Sequence, residues 1–378
     1  MKRILSILLF FCIIFSLTAQ NNNAVKIKFY GGYVIPANIY KSLNTTGPAL
    51  GAELNYEILP FGKYAWEKHW NYPTLGVGIL GTDLGNPQEL GMMLAVYPYV
   101  NWNFVRTNAV EFGIKTGMGI AFFNKTNIGN GAHAAAYLSA GLNLQLNINR
   151  NAAVALDFGY NATNNGEVFL PNSTMNMVYG ALGFRYRMGN SPYSYPRITR
   201  ADNLPYKFMI NASVSAGFRS EKFDEFPGVQ SNVHGDILWK MTNCYALGPA
   251  IDLGFTPNGM RLGVALANAF TMGRVTGLID AGFYAYDKVA QNNGFKGIWY
   301  SFDPNKVDGP LYLRAGLRVR VFDNVFAQVT GKTHLYRFDY LEFGIGYSIP
   351  YSTAQSRSGG NYVGKRIRYS YDYHRARK

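Results

Sequence analysis

The stretch Tyr137-Leu-Ser-Ala-Gly-Leu-Asn-Leu-Gln-Leu146 alternates between apolar residues and polar or small ones. A close copy, Tyr312-Leu-Arg-Ala-Gly-Leu-Arg-Val-Arg-Val321, appears late in the chain with the same alternation. A period of two indicates a β-strand with one apolar and one polar face. The polar face of the later copy carries Arg314, Arg318 and Arg320, which cannot enter a dry core without partners. Such a strand suits a wet lumen on one side and lipid on the other, as in a transmembrane β-barrel.

The N-terminus predicts export across the inner membrane. Met1-Lys2-Arg3 precedes an apolar run from Ile4 to Leu17, and Ala19 follows as a small residue before a cleavage site. This layout is typical of a secretory signal peptide, which we assign to residues 1–19. The mature chain then holds one cysteine, Cys244, so it cannot form an internal disulfide. We expect that cysteine to be a small buried hydrophobe.

The composition favours the bacterial outer membrane. Aromatic residues make up 15% of the chain, and glycine occurs 41 times. Charged residues are also only 15%, against about 25% in soluble domains. Tyr and Phe suit the aromatic girdles at the two membrane interfaces. We therefore expect a multi-pass barrel in the cell outer membrane, without cofactor or metal and with no nucleic acid as a partner.

Sixteen strands are predicted in two sets of eight, with the opening repeat sixth in each set. They are placed at about 24–35, 48–59, 74–84, 90–104, 109–123, 132–148, 151–162, 174–188, 206–219, 229–242, 244–256, 260–272, 274–286, 311–322, 324–335 and 338–350. The domains are predicted as residues 20–188 for the first half, 189–205 for a link, 206–350 for the second half and 351–378 for a tail. The equal sets suggest internal duplication, although strands in one environment also look alike. One closed barrel of about 14–16 strands is favoured because it leaves no edge unpaired in lipid; two eight-stranded barrels are the alternative.

Three motifs resemble a known family when taken in order. They are Trp70-Asn-Tyr-Pro-Thr-Leu-Gly-Val-Gly-Ile79, then Phe158-Gly-Tyr-Asn161 with Pro171-Asn172, then Lys332-Thr-His334 running into Asp339-Tyr-Leu-Glu-Phe-Gly-Ile-Gly-Tyr347. Together they resemble the lipid A 3-O-deacylase family, in the long form called acyloxyacyl hydrolases in Bacteroidota. The resemblance covers most of residues 28–350. It implies an outer-membrane barrel that removes an ester-linked acyl chain from lipid A, a component of lipopolysaccharide.

The resemblance places other residues at the family's catalytic positions in this chain. The family motif is His-x-Ser-Asn on one strand, followed by Pro-Asn-x-Gly and an acidic residue that orients the histidine. The His and Ser positions correspond to Phe158 and Tyr160, and the acidic position corresponds to Asn176. The retained positions are Asn161, Pro171 and Asn172, and the Gly becomes Thr174. Because Phe cannot take a proton and Tyr is a poor substitute for Ser at an acyl ester, we expect a degenerate relative without a catalytic site, with Phe158 and Tyr160 facing lipid.

A relocated site is the alternative for an enzyme. The polar faces of the last strands hold a cluster of ionisable residues: His334, Glu342, Lys332, Arg314, Arg318 and Arg320. A histidine–carboxylate pair can support acid–base chemistry. However, no Ser or Cys nucleophile is obvious beside this pair in the sequence, and Thr330 is the nearest candidate. An ion-pair network that fills the lumen explains the same residues.

The C-terminal tail departs from the family, whose barrels we expect to end near their last strand. Residues 351–378 carry seven basic residues and one acidic residue of a chain with net charge +14. An even number of strands places this tail in the periplasm. The residues predicted to bind a protein partner are Lys365, Arg366, Arg368, Tyr369, Tyr371, Tyr373 and Arg375. A solvated, disordered tail is the alternative.

The favoured function is therefore a non-catalytic accessory subunit of an envelope assembly that inserts or exports surface proteins. Lipid A deacylation is the first alternative and a passive pore is the second. The expected partners are outer-membrane lipid, lipopolysaccharide and one or more proteins of such an assembly.

Overall fold

The computed structural model describes a subset of the chain, namely residues 23–35, 45–61, 64–127, 129–166, 168–170, 174–188, 207–220, 227–289, 309–334 and 337–351. The predicted signal peptide, the 189–205 link and the residues beyond Tyr351 lie outside this range. Those three predictions therefore stay predictions.

The described chain forms sixteen antiparallel strands that close into two barrels. The first barrel is built from β1 (Asn23–Ile35), β2 (Ala49–Ile58), β3 (Thr74–Asp83), β4 (Met92–Arg106), β5 (Val110–Phe123), β6 (Ala134–Asn147), β7 (Ala152–Asn164) and β8 (Met175–Met188). The second is built from β9 (Phe208–Arg219), β10 (Gly228–Lys240), β11 (Tyr245–Thr256), β12 (Gly259–Met272), β13 (Val275–Asp287), β14 (Leu311–Arg320), β15 (Val325–His334) and β16 (Arg337–Tyr351). A short helix, α1 (Ala65–His69), lies between β2 and β3.

The fold class is confirmed, but the preference for one large barrel is wrong. Strand β1 pairs with both β2 and β8, and β9 pairs with both β10 and β16. Each half therefore closes on itself and leaves no edge strand unpaired. Avoiding an unpaired edge in lipid was the reason for favouring a single closed sheet. The repeated stretch forms β6 and β14, the sixth strand of each barrel, as duplication would place it.

The alternation of side chains matches the prediction on both repeats. On β6, Ser139 and Asn143 are buried in the lumen, whereas Leu138 and Leu142 are exposed on the outer surface. On β14, Arg314 is buried while its neighbour Leu313 is exposed. Polar residues inside and apolar residues outside are the arrangement of a barrel that stands in lipid.

We call the rim where β1 and β9 begin the base rim, and the opposite one the mouth rim. Exposed aromatic residues lie at both rims of the barrels. They are Phe104, Tyr186, Trp239, Phe322 and Tyr351 at the base rim, and Tyr33, Phe122, Phe218, Phe255 and Tyr286 at the mouth rim. Aromatic rings at both levels are typical of the two membrane interfaces. By the even-strand rule the base rim is expected to be periplasmic.

The two barrels touch at both rims. At the base rim, Trp70 next to α1 donates its indole N–H to the carbonyl of Thr271 at 3.1 Å and packs against Phe270. At the mouth rim, the Ser220 hydroxyl donates to the carbonyl of Val168 at 2.7 Å. The barrels are thus joined by loop and turn contacts at both ends.

Candidate functional site

Strand β7 presents Phe158 and Tyr160 on the outer, lipid-facing surface of the first barrel. The Phe158 side chain is 66% exposed and that of Tyr160 is 42% exposed. Each sits opposite small or apolar neighbours: Phe158 pairs with Leu142 and Gly180. Both side chains therefore face outward, the side of the sheet on which the sequence pattern placed them.

The other residues matched to the family motif are divided between the two faces of the sheet. The Asn161 side chain points into the lumen and is 2% exposed, so it lies across the sheet from Tyr160. Asn176 opens β8 on the outer face, beside Ala162. Pro171 and Asn172 lie outside the described residues. The described positions therefore do not converge on one reactive point.

A shallow apolar groove lies beside Phe158 on the outer surface. Gly31 and Gly180 pair across β1 and β8, and neither has a side chain to fill the space above the sheet. The groove has a volume of about 460 Å³ and is bordered by Phe29, Leu156 and Leu182. Tyr30 and Asp157 also border the groove, but both are buried, so the exposed side chains of its lining are apolar.

Most residues of the predicted lumen cluster are buried in the second barrel, but they do not form one cluster. Glu342 accepts a hydrogen bond from the Ser215 hydroxyl at 2.7 Å and lies 3.6 Å from the Arg314 guanidinium. Arg314 also contacts Asp280 at 3.2 Å. The same lumen buries Lys332 and Thr330, and Thr330 donates weakly to Glu342 at 3.4 Å.

His334 faces Asp339 rather than Glu342. Its Nε2 atom lies 3.5 Å from the Asp339 carboxylate, and its Nδ1 atom lies 3.1 Å from the carbonyl oxygen of Gly309. Asp339 also pairs with Arg261 at 3.3 Å. Arg320 sits half-buried at the base end of β14, away from this group. The residues named from sequence thus belong to separate clusters along the lumen.

A second buried histidine was missed in the sequence analysis. His234 lies between Asp252, 3.0 Å from Nδ1, and Asp236, 3.2 Å from Nε2. Arg318 contacts Asp236 at 3.2 Å. The spacing of His234 and Asp236 on one strand face was a usable signal, because residues two apart share a face. The approach of Asp252 depends on the register of β10 with β11, which a sequence pattern does not give.

The first barrel holds a comparable network that was also missed. Lys28 and Lys115 both contact Glu53, at 3.1 and 3.0 Å, and Lys28 also contacts Asp157. Tyr97 donates its hydroxyl to Glu53 at 2.7 Å. All of these side chains are buried.

These arrangements offer little for acyl transfer. Both ring nitrogens of His234 and of His334 face protein oxygens. In these contacts neither histidine is paired with a serine hydroxyl, which a general base for acyl transfer must activate. No group of three or more His, Cys, Asp or Glu residues in the described part of the chain is arranged to hold a metal ion. The lumen networks instead match the ion-pair interpretation, because the interior of an eight-stranded barrel is just wide enough for its own side chains.

A protein-family model matches part of the second barrel. Residues 255–351 match the model described as acyloxyacyl hydrolase, C-terminal domain. The predicted resemblance to the acyloxyacyl hydrolase family is confirmed. The matched residues belong to the second barrel and contain a single histidine, His334, which is followed by Leu335, Tyr336 and Arg337 rather than by x-Ser-Asn. The positions assigned at Phe158, Tyr160 and Asn176 lie outside the match, so their equivalence to the family's catalytic residues stays a prediction.

Several solved β-barrels are similar to this chain at low identity. A de novo designed transmembrane β-barrel is 15% identical, with a TM-score of 0.26, covering 39% of this chain and 100% of the designed one. Neisserial surface protein A is 14% identical, with a TM-score of 0.29, covering 44% of this chain and 95% of that protein. The NanC porin is 7% identical, with a TM-score of 0.17, covering 86% and 99% of the two chains. No curated protein matches.

Within the described residues there is no helix of the length and apolar character needed to cross a membrane. The outward apolar faces, the buried polar lumens and the family match together identify an outer-membrane β-barrel protein.

Proposed function

We propose that this protein is a non-catalytic relative of the acyloxyacyl hydrolases, acting as an accessory barrel in the outer membrane. The observation that carries the proposal is the lipid-facing pair Phe158 and Tyr160 on β7, at the positions where the resemblance expects His and Ser. A phenyl ring cannot accept a proton, and a phenol is a weak nucleophile unless a general base activates it.

The environment of this pair supports the same conclusion. The groove beside Phe158 is lined outwardly by Phe29, Leu156 and Leu182, none of which titrates. The two described histidines buried in the second barrel are engaged by backbone and carboxylate oxygens inside the lumen. Lipid A acyl chains lie outside the barrel, so lumen histidines do not reach them.

Mass spectrometry of lipid A tests the lack of catalysis. The full-length protein is produced in an outer membrane whose lipid A carries all of its ester-linked acyl chains, and lipid A is compared with that of cells without the gene. Identical acylation is expected. The F158H/Y160S/N176E variant serves as a matched comparison that restores the family residues at the predicted positions. Loss of an acyl chain with the unchanged protein overturns the proposal.

The second part of the proposal is that the protein docks partners through its C-terminal tail. The support comes from the sequence. Ile367, Tyr369, Tyr371 and Tyr373 alternate with the polar residues Arg368, Ser370 and Asp372, a pattern that can add a strand to an exposed sheet edge. The partner expected is a component of an assembly that inserts or exports surface proteins.

Crosslinking in intact cells tests this docking. A photo-reactive residue placed at Tyr369 is expected to capture one stoichiometric envelope protein, and removal of residues 352–378 is expected to abolish the complex while the barrel still assembles. A variant with Lys365, Arg366 and Arg368 changed to Gln separates charge from strand addition. Recovery of a lone barrel from the full chain in gentle detergent contradicts an accessory role.

An ester hydrolase acting on lipid A is the second candidate, favoured by the family match over residues 255–351. It requires a site other than Phe158 and Tyr160. The same lipid A measurement separates the two candidates, since only a hydrolase changes the acylation pattern.

A further inference from the structure

A small cavity near the mouth rim of the first barrel has no part in the function proposed above. Its lining is contributed by four strands and one loop: Val34, Leu84, Met93, Asn161, Thr163, Met175, Asn176 and Met177. The free space is about 10 Å³, which is room for one occupant the size of a water molecule or an ion.

The cavity contains polar atoms without partners. Neither the Nδ2 nor the Oδ1 atom of Asn161 has a hydrogen-bond partner within the described structure, and the same holds for the Thr163 hydroxyl. Both side chains are buried. A buried amide or hydroxyl left without a partner costs about 1–3 kcal/mol. An occupant that interacts with the amide of Asn161 and the hydroxyl of Thr163 would remove this cost.

Three methionines also line the cavity. Met175 and Met177 alternate on β8, where they pair with Thr163 and Asn161 of β7, and Met93 reaches the same cavity from β4. Gly32 lies beside them on β1, where a Cβ atom would come within 2.5 Å of the Val178 carbonyl oxygen and 3.3 Å of Cγ of Met177. Methionine alone often fills gaps in a core, but here three methionines share one cavity with an amide that has no hydrogen-bond partner within the described structure.

We propose that this cavity binds one soft monovalent cation, with Cu(I) as the natural class. Thioether sulfur is the protein ligand, besides thiolate, that selects Cu(I) over harder metals. The unpartnered amide oxygen of Asn161 would supply a further neutral donor atom. Because thioethers carry no proton at any physiological pH, binding does not release protons, unlike binding to His or Cys ligands.

Competition with a chromogenic Cu(I) chelator tests the site under anaerobic conditions. The mature full-length chain in detergent, carrying C244S to remove its thiol, is expected to withdraw one equivalent of Cu(I), equally at pH 6 and pH 8. The M93L/M175L/M177L variant is expected to lose this equivalent. The matched control is M92L/M241L/M260L, which changes three exposed methionines and leaves the uptake intact.

Single substitutions keep the test valid if the triple Leu variant does not fold. M175L and M177L are each expected to weaken Cu(I) binding by about tenfold or more, while heat-modifiable migration in a gel shows that the barrel has closed. Equal Cu(I) uptake by the unchanged chain and the triple Leu variant overturns the proposal. So does the absence of uptake by the unchanged chain, which would leave a single water as the occupant.

Discussion

The Glu53 carboxylate is shared by two buried lysines in the lumen of the first barrel. It is fully buried and contacts Lys28 at 3.1 Å and Lys115 at 3.0 Å. Removing one partner of a buried ion pair leaves an uncompensated charge and costs about 3–5 kcal/mol. The Glu53→Gln variant leaves Asp157 as the carboxylate shared by both lysines, so we expect it to destabilise the first barrel by that amount.

Urea unfolding of the barrel in lipid or detergent, followed by heat-modifiable gel migration, measures this loss. Glu89→Gln, which neutralises an exposed carboxylate of the β3–β4 loop, is the matched control and is expected to change stability by less than about 0.5 kcal/mol. Equal midpoints for the two variants would show that the lumen network contributes little.

Cys244 was expected to be an inert buried residue, and the structure agrees. It lies in the turn before β11, and burial raises the pKa of its thiol to about 11. Since only the thiolate reacts with alkylating reagents, labelling at pH 8 should be roughly 100-fold slower than for a thiol of pKa 9. The rate should rise about tenfold for each pH unit until the pH nears 11. Rapid iodoacetamide labelling of the folded barrel at pH 8 would contradict the burial of Cys244.

Individual strands were predictable because alternation is a local property. Every predicted strand end lies within two residues of its observed position; for example, β7 was predicted at 151–162 and spans Ala152–Asn164. The helix α1 was not predicted, because five residues are too few to show a helical period. The residues that face each other across the lumen also escaped prediction, since His234 meets Asp252 only through strand register.

The segment that follows α1 joins the barrels at the base rim. Trp70 donates its indole N–H to Thr271 and packs against Trp102 of the first barrel as well as Phe270 of the second. A Trp70→Ala variant removes the hydrogen bond and the ring packing, so we expect the turn around Thr271 to exchange its amide hydrogens at least about tenfold faster, equivalent to 1.4 kcal/mol.

Hydrogen exchange with mass spectrometry measures this effect. Trp239→Ala, which removes an exposed indole from the outer face of β10, controls for general loosening of the rim. A Trp70→Phe variant keeps an aromatic ring without the N–H donor and should show an intermediate rate. Unchanged exchange in Trp70→Ala would mean that the barrels do not depend on this contact.

Closure into two barrels is a property of the whole molecule that the strand pattern leaves open. Alternation, strand number and aromatic content are the same for one sheet of sixteen strands and for two of eight. The difference lies in whether β8 returns to β1 or continues to β9, and in the structure it returns to β1 over the whole length of that strand. Only the pairing of β1 with β8, whose partners run from Asn23 with Met188 to Ile35 with Asn176, distinguishes the two.

Barrel size decides whether the protein conducts, and here it argues against the passive pore. A barrel of sixteen strands leaves an aqueous channel, whereas eight strands enclose a space that side chains fill. The first lumen is occupied by Lys28, Glu53 and Lys115, and the second by Arg314 and Glu342, all buried. We therefore expect no stable single-channel steps in planar bilayers. The double variant E53A/K115A, which shortens two of these paired side chains, serves as the comparison. Conductance steps with the unchanged protein would show that a lumen is open.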